Sequence, residues 1–105
     1  MDIKPPKHLK PVTKKWWLNI AQNYELDSHH FKLLTLACEA LERCQDAREG
    51  LKVHGTVYID RFGCPHARPE VAIERDNRIA FARLIRELCL DADIPEDSRV
   101  PRLKS

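Results

Sequence analysis

The chain has 105 residues and a formal net charge of +2, with 43% hydrophobic and 32% charged residues. That length predicts one domain with a small core, and that composition excludes wholesale disorder and a membrane-embedded chain. No apolar run approaches the roughly 18 residues needed to cross a bilayer, and the lysine-rich start leads into no apolar signal segment, so no membrane partner and a cytoplasmic location are expected.

Residues 1–11 hold Pro5, Pro6 and Pro11, whose rings restrict both themselves and the residues before them, which predicts an extended arm. The charge is concentrated there. Lys4, Lys7, Lys10, Lys14 and Lys15 stand against Asp2 alone in the first 15 residues. A basic arm of this kind either meets nucleic acid or keeps a terminus solvated, and both readings stay open.

From about Val12 to Tyr24, Trp17, Ile20, Ala21 and Tyr24 recur at helical spacing with Trp16 beside them, predicting a first helix with an aromatic face. Asp27 or Ser28 is placed to cap a second, long helix over about 29–54, which Gly55 ends. Its apolar residues, from Phe31 to Leu51, spread over roughly 220° of the helical wheel, far beyond the ~100° stripe of a singly packed helix. Two sides of it are therefore predicted to be buried. One receives the chain's own helices and the other a neighbouring subunit, through Leu34, Ala37, Leu41, Cys44 and Leu51; the central helix of a small monomeric bundle is the alternative.

Thr56 to Ile59 is β-branched and aromatic, and Arg61-Phe62-Gly63 followed by Pro65 supplies turn character, so a short hairpin or loop is predicted to project here. Pro69 opens a third helix running to about Leu90. Ile73, Ala80, Phe81, Leu84, Ile85 and Leu88 share its apolar face, while Arg75, Arg78, Arg83 and Arg86 occupy the opposite half. Those arginines either bind phosphates or pair with Glu39, Glu42, Asp46 and Glu49 of the long helix. The prolines and acids after Leu90 predict a mobile tail over 91–105. The expected fold is all-α: a short N-terminal helix, then a long helix and a third helix forming a helical hairpin joined by a short hairpin-like loop. The helical domain spans 12–90, between the arm and the tail.

Chemistry is sparse in the sequence. No phosphate-binding glycine loop or dinucleotide fingerprint is present, so no cofactor is expected. The best metal set, Cys64-Pro65-His66 with Cys38, Cys44 or His54, lacks any CxxC or HxxxH pair, and no metal is expected. Cys38, Cys44 and Cys89 read as reduced packing residues. His29-His30 reads as a helix start beside Asp27. Asp60 with His66 suggests a metal-dependent nuclease, but the other pieces of such a site are missing, and no enzyme is expected.

The order of features resembles the phage terminase small subunit family over nearly the whole chain. The resemblance rests on Pro6 with His8-Leu9, Trp16 or Trp17, Leu26-Asp27, and a long helix ending in Leu51-Lys52-Val53-His54-Gly55. It continues through the Gly63 loop, Pro69 opening the next helix, and the closing Pro95, Arg99 and Pro101-Arg102-Leu103. It implies a subunit without ATPase or nuclease that forms a homo-oligomeric ring, binds double-stranded viral DNA and regulates the large terminase subunit in the host cell cytoplasm. Lys4, Lys7, Lys10, Lys14 and Lys15 then become a DNA contact, joined by Arg75, Arg78, Arg83 and Arg86. The chain departs from the family in two places. No helix-turn-helix module fits before Trp16, and Cys89-Leu90-Asp91-Ala92 stands where the family has a glycine-containing turn. The alternative functions are a helical protein-interaction module without DNA binding, or a small metal-dependent nuclease.

Overall fold

A computed structural model describes residues 3–88 and the main chain of residues 102–103. Three helices, α1 (Pro11–Asn23), α2 (Ser28–His54) and α3 (Pro69–Leu88), make up most of the chain. Two small antiparallel ladders complete it: β1 (Tyr24–Glu25) with β4 (Arg102–Leu103), and β2 (Val57–Ile59) with β3 (Pro65–Ala67). The molecule is elongated, 60 × 29 × 18 Å.

Each helix begins and ends for a local reason. Pro11 sits in the first turn of α1, where its missing N–H costs nothing. At the start of α2, His30 Nδ1 accepts the Asp27 backbone N–H at 3.0 Å, and the reciprocal contact from the Asp27 side chain to the His30 backbone completes a capping box, with histidine in the place usually held by Glu or Gln. Gly55 ends α2 with φ of 80°, a conformation costly to any residue with a Cβ, while its N–H bonds the Leu51 carbonyl at 2.8 Å.

The long helix is the spine. At the level of its N-terminal half, α1 and the preceding arm lay Leu9, Trp17, Ile20 and Ala21 against Leu34 and Cys38, and Leu88 at the end of α3 closes the same core. Trp17 Nε1 donates to Thr35 Oγ1 at 3.3 Å, and Trp16 meets Phe81 with ring centroids 5.9 Å apart. A stripe of small buried residues, Ala37, Ala40, Cys44 and Ala47, runs on along α2, and α3 packs antiparallel beside it, so that Glu70 lies over Gly50 and Glu74 over Arg48.

Three expectations change here. The arm is not a free extension: Pro6 to Leu9 closes a turn, Leu9 is 3% exposed, and helix α1 already includes Pro11. The wide apolar arc of α2 is largely consumed inside one protomer, because Leu34, Ala37 and Cys44 are buried and Leu41 and Leu51 half-buried. In this protomer Leu34, Ala37 and Cys44 are therefore covered by the chain's own segments. Finally, Arg102–Leu103, expected in a mobile tail, returns to pair with Tyr24–Glu25. The rest of the predicted tail lies outside the described residues.

Between α2 and α3 the chain forms the expected hairpin, a β-ribbon. Its loop joins an Asp60 to Gly63 turn (Gly63 N to Asp60 O, 3.0 Å) to a glycine with φ of 78°, the three-residue connection with a bulge that requires a left-handed residue at its last position. Open space surrounds Gly63, so its requirement is conformational rather than steric.

Candidate nucleic-acid interface

The predicted basic residues divide in two. Within the arm, His8 Nε2 lies 2.9 Å from Glu39, the Lys10 backbone N–H donates to Glu42 at 2.6 Å, and Lys10 Nζ is paired with Asp46. That hydrogen bond to Asp46, with the charges of Asp46 and Glu42, holds the Lys10 ammonium above its ordinary pKa against an opposing desolvation. Lys10 is thus a docking residue, through a backbone contact to Glu42 and a side-chain pair with Asp46 that is itself exposed. Lys4, Lys7 and Lys15 are exposed and Lys14 is half-buried.

The arginines of α3 lie on the surface. All four of Arg75, Arg78, Arg83 and Arg86 are exposed, as their half of the wheel predicts. Of the acids of α2 offered to them in sequence, Glu39, Glu42 and Asp46 meet the arm, and Glu49 is exposed. Arg78 Nε reaches Glu74 one turn earlier at 2.8 Å, and Arg75 Nε reaches the adjacent Asp76 at 3.2 Å. Glu74, only 14% exposed, also has Arg48 at 3.9 Å. Exposed pairs of this kind are weak, so their guanidinium groups can exchange partners. The four arginines fall within an arc of roughly 140° and span on the order of 16 Å of helix axis. This makes a short positive ridge on the side of α3 away from Phe81.

The residues that suggested a metal or nuclease are explained by local structure. Asp60 Oδ1 accepts the backbone N–H groups of Phe62 (2.8 Å) and Cys64 (2.9 Å), while Oδ2 meets His66 Nε2 at 2.7 Å. The Cys64 N–H, then His66, then the Phe62 N–H hold the Asp60 carboxyl below its usual range, with burial opposing. Tyr58 stacks on His66 with centroids 5.3 Å apart. This constellation locks a turn. Cys64 is exposed on the ribbon, whereas Cys38 and Cys44 are buried in α2, so the cysteines and His66 do not converge. Burial, then the charges of Glu42 and Glu39, pushes the Cys38 thiol up to about 12.

One cluster escapes a reading of the sequence as a possible ligand set: the ligand atoms of Asp27, His29 and His30 lie within 4.8 Å of one another. Its geometry is that of the helix cap already described, with His30 buried and its Nδ1 engaged, and the positive end of a helix disfavours a cation. The spacing of aspartate and histidine three residues apart, read as a capping box, is the signal that finds it. The docking of the arm escapes too, although Glu39, Glu42 and Asp46 form a row on α2 suited to His8 and Lys10. No helix among the described residues is long and apolar enough to cross a membrane. Comparison with known protein families, with curated proteins and with solved structures finds no match to this chain.

Proposed function

We propose that this chain is a DNA-packaging adaptor of the phage terminase small subunit type. It binds double-stranded DNA, assembles with copies of itself into a ring, and regulates a separate large subunit that carries the motor and nuclease, with no catalytic site of its own, in the host cell cytoplasm. The order of sequence features supports the family. The observation that carries DNA binding is the arginine ridge of α3: four exposed arginines on one helix face, with Arg75 and Arg78 in weak, exchangeable local pairs. Such a ridge supplies phosphate contacts, which position a duplex and read no bases. The exposed Lys4, Lys7 and Lys15 extend the basic surface, and Lys10, whose pair with Asp46 is of the same exposed and exchangeable kind, stands beside them.

Anisotropy of a fluorescent duplex titrated with the full chain over a salt series tests this reading. Removing one phosphate-binding side chain lowers the salt slope by about 0.9, so replacing Arg75, Arg78, Arg83 and Arg86 by alanine should reduce it by roughly 3 to 4 and abolish most of the affinity. Wild-type affinity in the arginine variant across the series would refute the ridge. Absence of DNA binding by the wild-type chain would favour the second reading, a helical protein-interaction module, to which the exposed apolar ribbon points.

A further inference from the structure

From Lys52 to Ala67 every residue except Asp60 is exposed. Side chains alternate across a strand, so Val57 and Ile59 lie on one face of the β2–β3 ribbon with their cross-strand neighbours Ala67 and Pro65. That face is wholly apolar, with Val57 51% and Ile59 63% exposed, and Phe62 stands 77% exposed at the tip. An isolated two-stranded ribbon is marginal in water, and three or more strands are the usual remedy.

The main chain says which edge is open. Arg68 N donates to Thr56 O at 2.9 Å and Asp60 N to Cys64 O at 3.0 Å, so residues 56, 58 and 60 turn their main-chain groups toward β3. The N–H and C=O of Val57 and Ile59 therefore point outward, unpaired within the ribbon. The corresponding outward positions of β3 are Ala67 and Pro65, and proline has no N–H to offer. The β2 edge is complete and the β3 edge is blunted.

We propose that the β2 edge pairs antiparallel with the β2 edge of a second copy about a twofold axis through Tyr58, giving a four-stranded sheet in the order β3–β2–β2–β3. In that register Val57 of each copy lies opposite Ile59 of the other, which satisfies all four outward N–H and C=O pairs and sets the two apolar side chains in cross-strand contact. The edge is its own complement, as a twofold interface demands. No like charges meet, since Asp60 falls opposite Thr56 and Arg61 opposite Gly55. The exposed Val57 and Ile59 side chains add apolar cross-strand contact to the main-chain pairs. A nucleic acid suits this surface poorly, because between Val53 and Ala67 the only arginine, Arg61, is offset by Asp60 and no lysine is present. Pro65 at both outer edges stops further growth of the sheet. The inference extends the assembly part of the proposed function and does not rest on DNA binding. The pair is one contact, and a larger closed assembly needs a second, different one.

Light scattering of the full chain at micromolar concentration, with two variants, tests it. Ile59→Pro removes an outward N–H that the ribbon does not use. Tyr58→Cys in a Cys64→Ser background puts thiols across the axis, at a separation a disulfide bridges. The wild type should have a mass of two protomers or an even multiple, Ile59→Pro should halve it with the helical circular dichroism unchanged, and mild oxidation should join Tyr58→Cys into covalent dimers whose 58–58 peptide is found by mass spectrometry. A monomeric wild type would overturn the proposal. So would an oligomer whose mass survives Ile59→Pro without a 58–58 link, an outcome that leaves assembly standing and moves the contact elsewhere. Loss of DNA affinity in Ile59→Pro at unchanged mass would instead make the ribbon a DNA element and equally overturn the pairing. If Ile59→Pro loses helix signal, the cross-link decides alone.

Discussion

Leu34 and Leu36 sit two positions apart on the same helix, yet Leu34 is fully buried and Leu36 is 51% exposed. Truncating each to alanine removes the same atoms from opposite environments. At Leu34 the forfeited transfer free energy is about 2 kcal/mol, at ~0.8 kcal/mol per buried carbon group. The surrounding Trp17, Ile20, Cys38 and Leu88 belong to three segments held by their own helices and can collapse only in part. A residual void on the order of 60 Å³ adds about 1.5 kcal/mol. Leu34→Ala should therefore cost about 3 to 4 kcal/mol and lower Tm by roughly 15–25 °C, while Leu36→Ala should cost less than about 1 kcal/mol. Urea unfolding followed by circular dichroism at several protein concentrations measures both. Because Leu34 packs within one protomer, the difference between the variants should not depend on concentration. Equal costs, or a Leu34→Ala penalty that shrinks as protein is diluted, would place Leu34 at a contact between copies and refute the packing argument.

The Asp60 carboxyl is held below its unfolded value, so it favours the ordered turn above the unfolded pKa of about 3.9, and that contribution is lost as pH falls through the lower folded value. NMR of the Gly63 and Cys64 amides should show the turn intact above about pH 5 and loosening well below pH 4. In Asp60→Asn this acid transition should vanish; an unchanged transition would assign it to another group. Thiol chemistry should follow burial: Cys64 reacts quickly with a maleimide, while Cys38, its pKa pushed up to about 12, and Cys44 react only on unfolding. Peptide mapping that finds Cys38 labelled as fast as Cys64 in the native protein would contradict the core described above.

The helices are legible in the sequence because their signals are local. Asp27, Gly55 and Pro69 act on the residue or turn beside them, and the structure starts or stops a helix within a residue or so of each. The turn of the ribbon is legible for the same reason, through Gly63. What escapes is which apolar surface meets which. The broad arc on α2 has the same signature whether its second side faces another copy or the same chain, and only the docking of Leu9 and Trp17 decides in favour of the chain itself. That docking depends on His8 and Lys10 finding carboxylates more than 30 residues away, a pairing no local pattern encodes. The arginine ridge is legible as a face of α3. Its local pairs, Arg78 with Glu74 and Arg75 with Asp76, lie within α3 itself. The β1–β4 ladder, two residues long and joining Tyr24 to Leu103, offers too short a pattern to be read in advance.

A protomer 60 Å long and 29 by 18 Å across has a larger hydrodynamic radius than a sphere of equal mass. It diffuses more slowly, elutes early from a gel-filtration column, and mimics a heavier globular protein. Retention time calibrated on globular standards would report a single copy as a small oligomer. Its rotation is also anisotropic: tumbling about the long axis of α2 is fast and tumbling end over end is slow, so amide relaxation rates should differ between helices aligned with that axis and the loops at its ends.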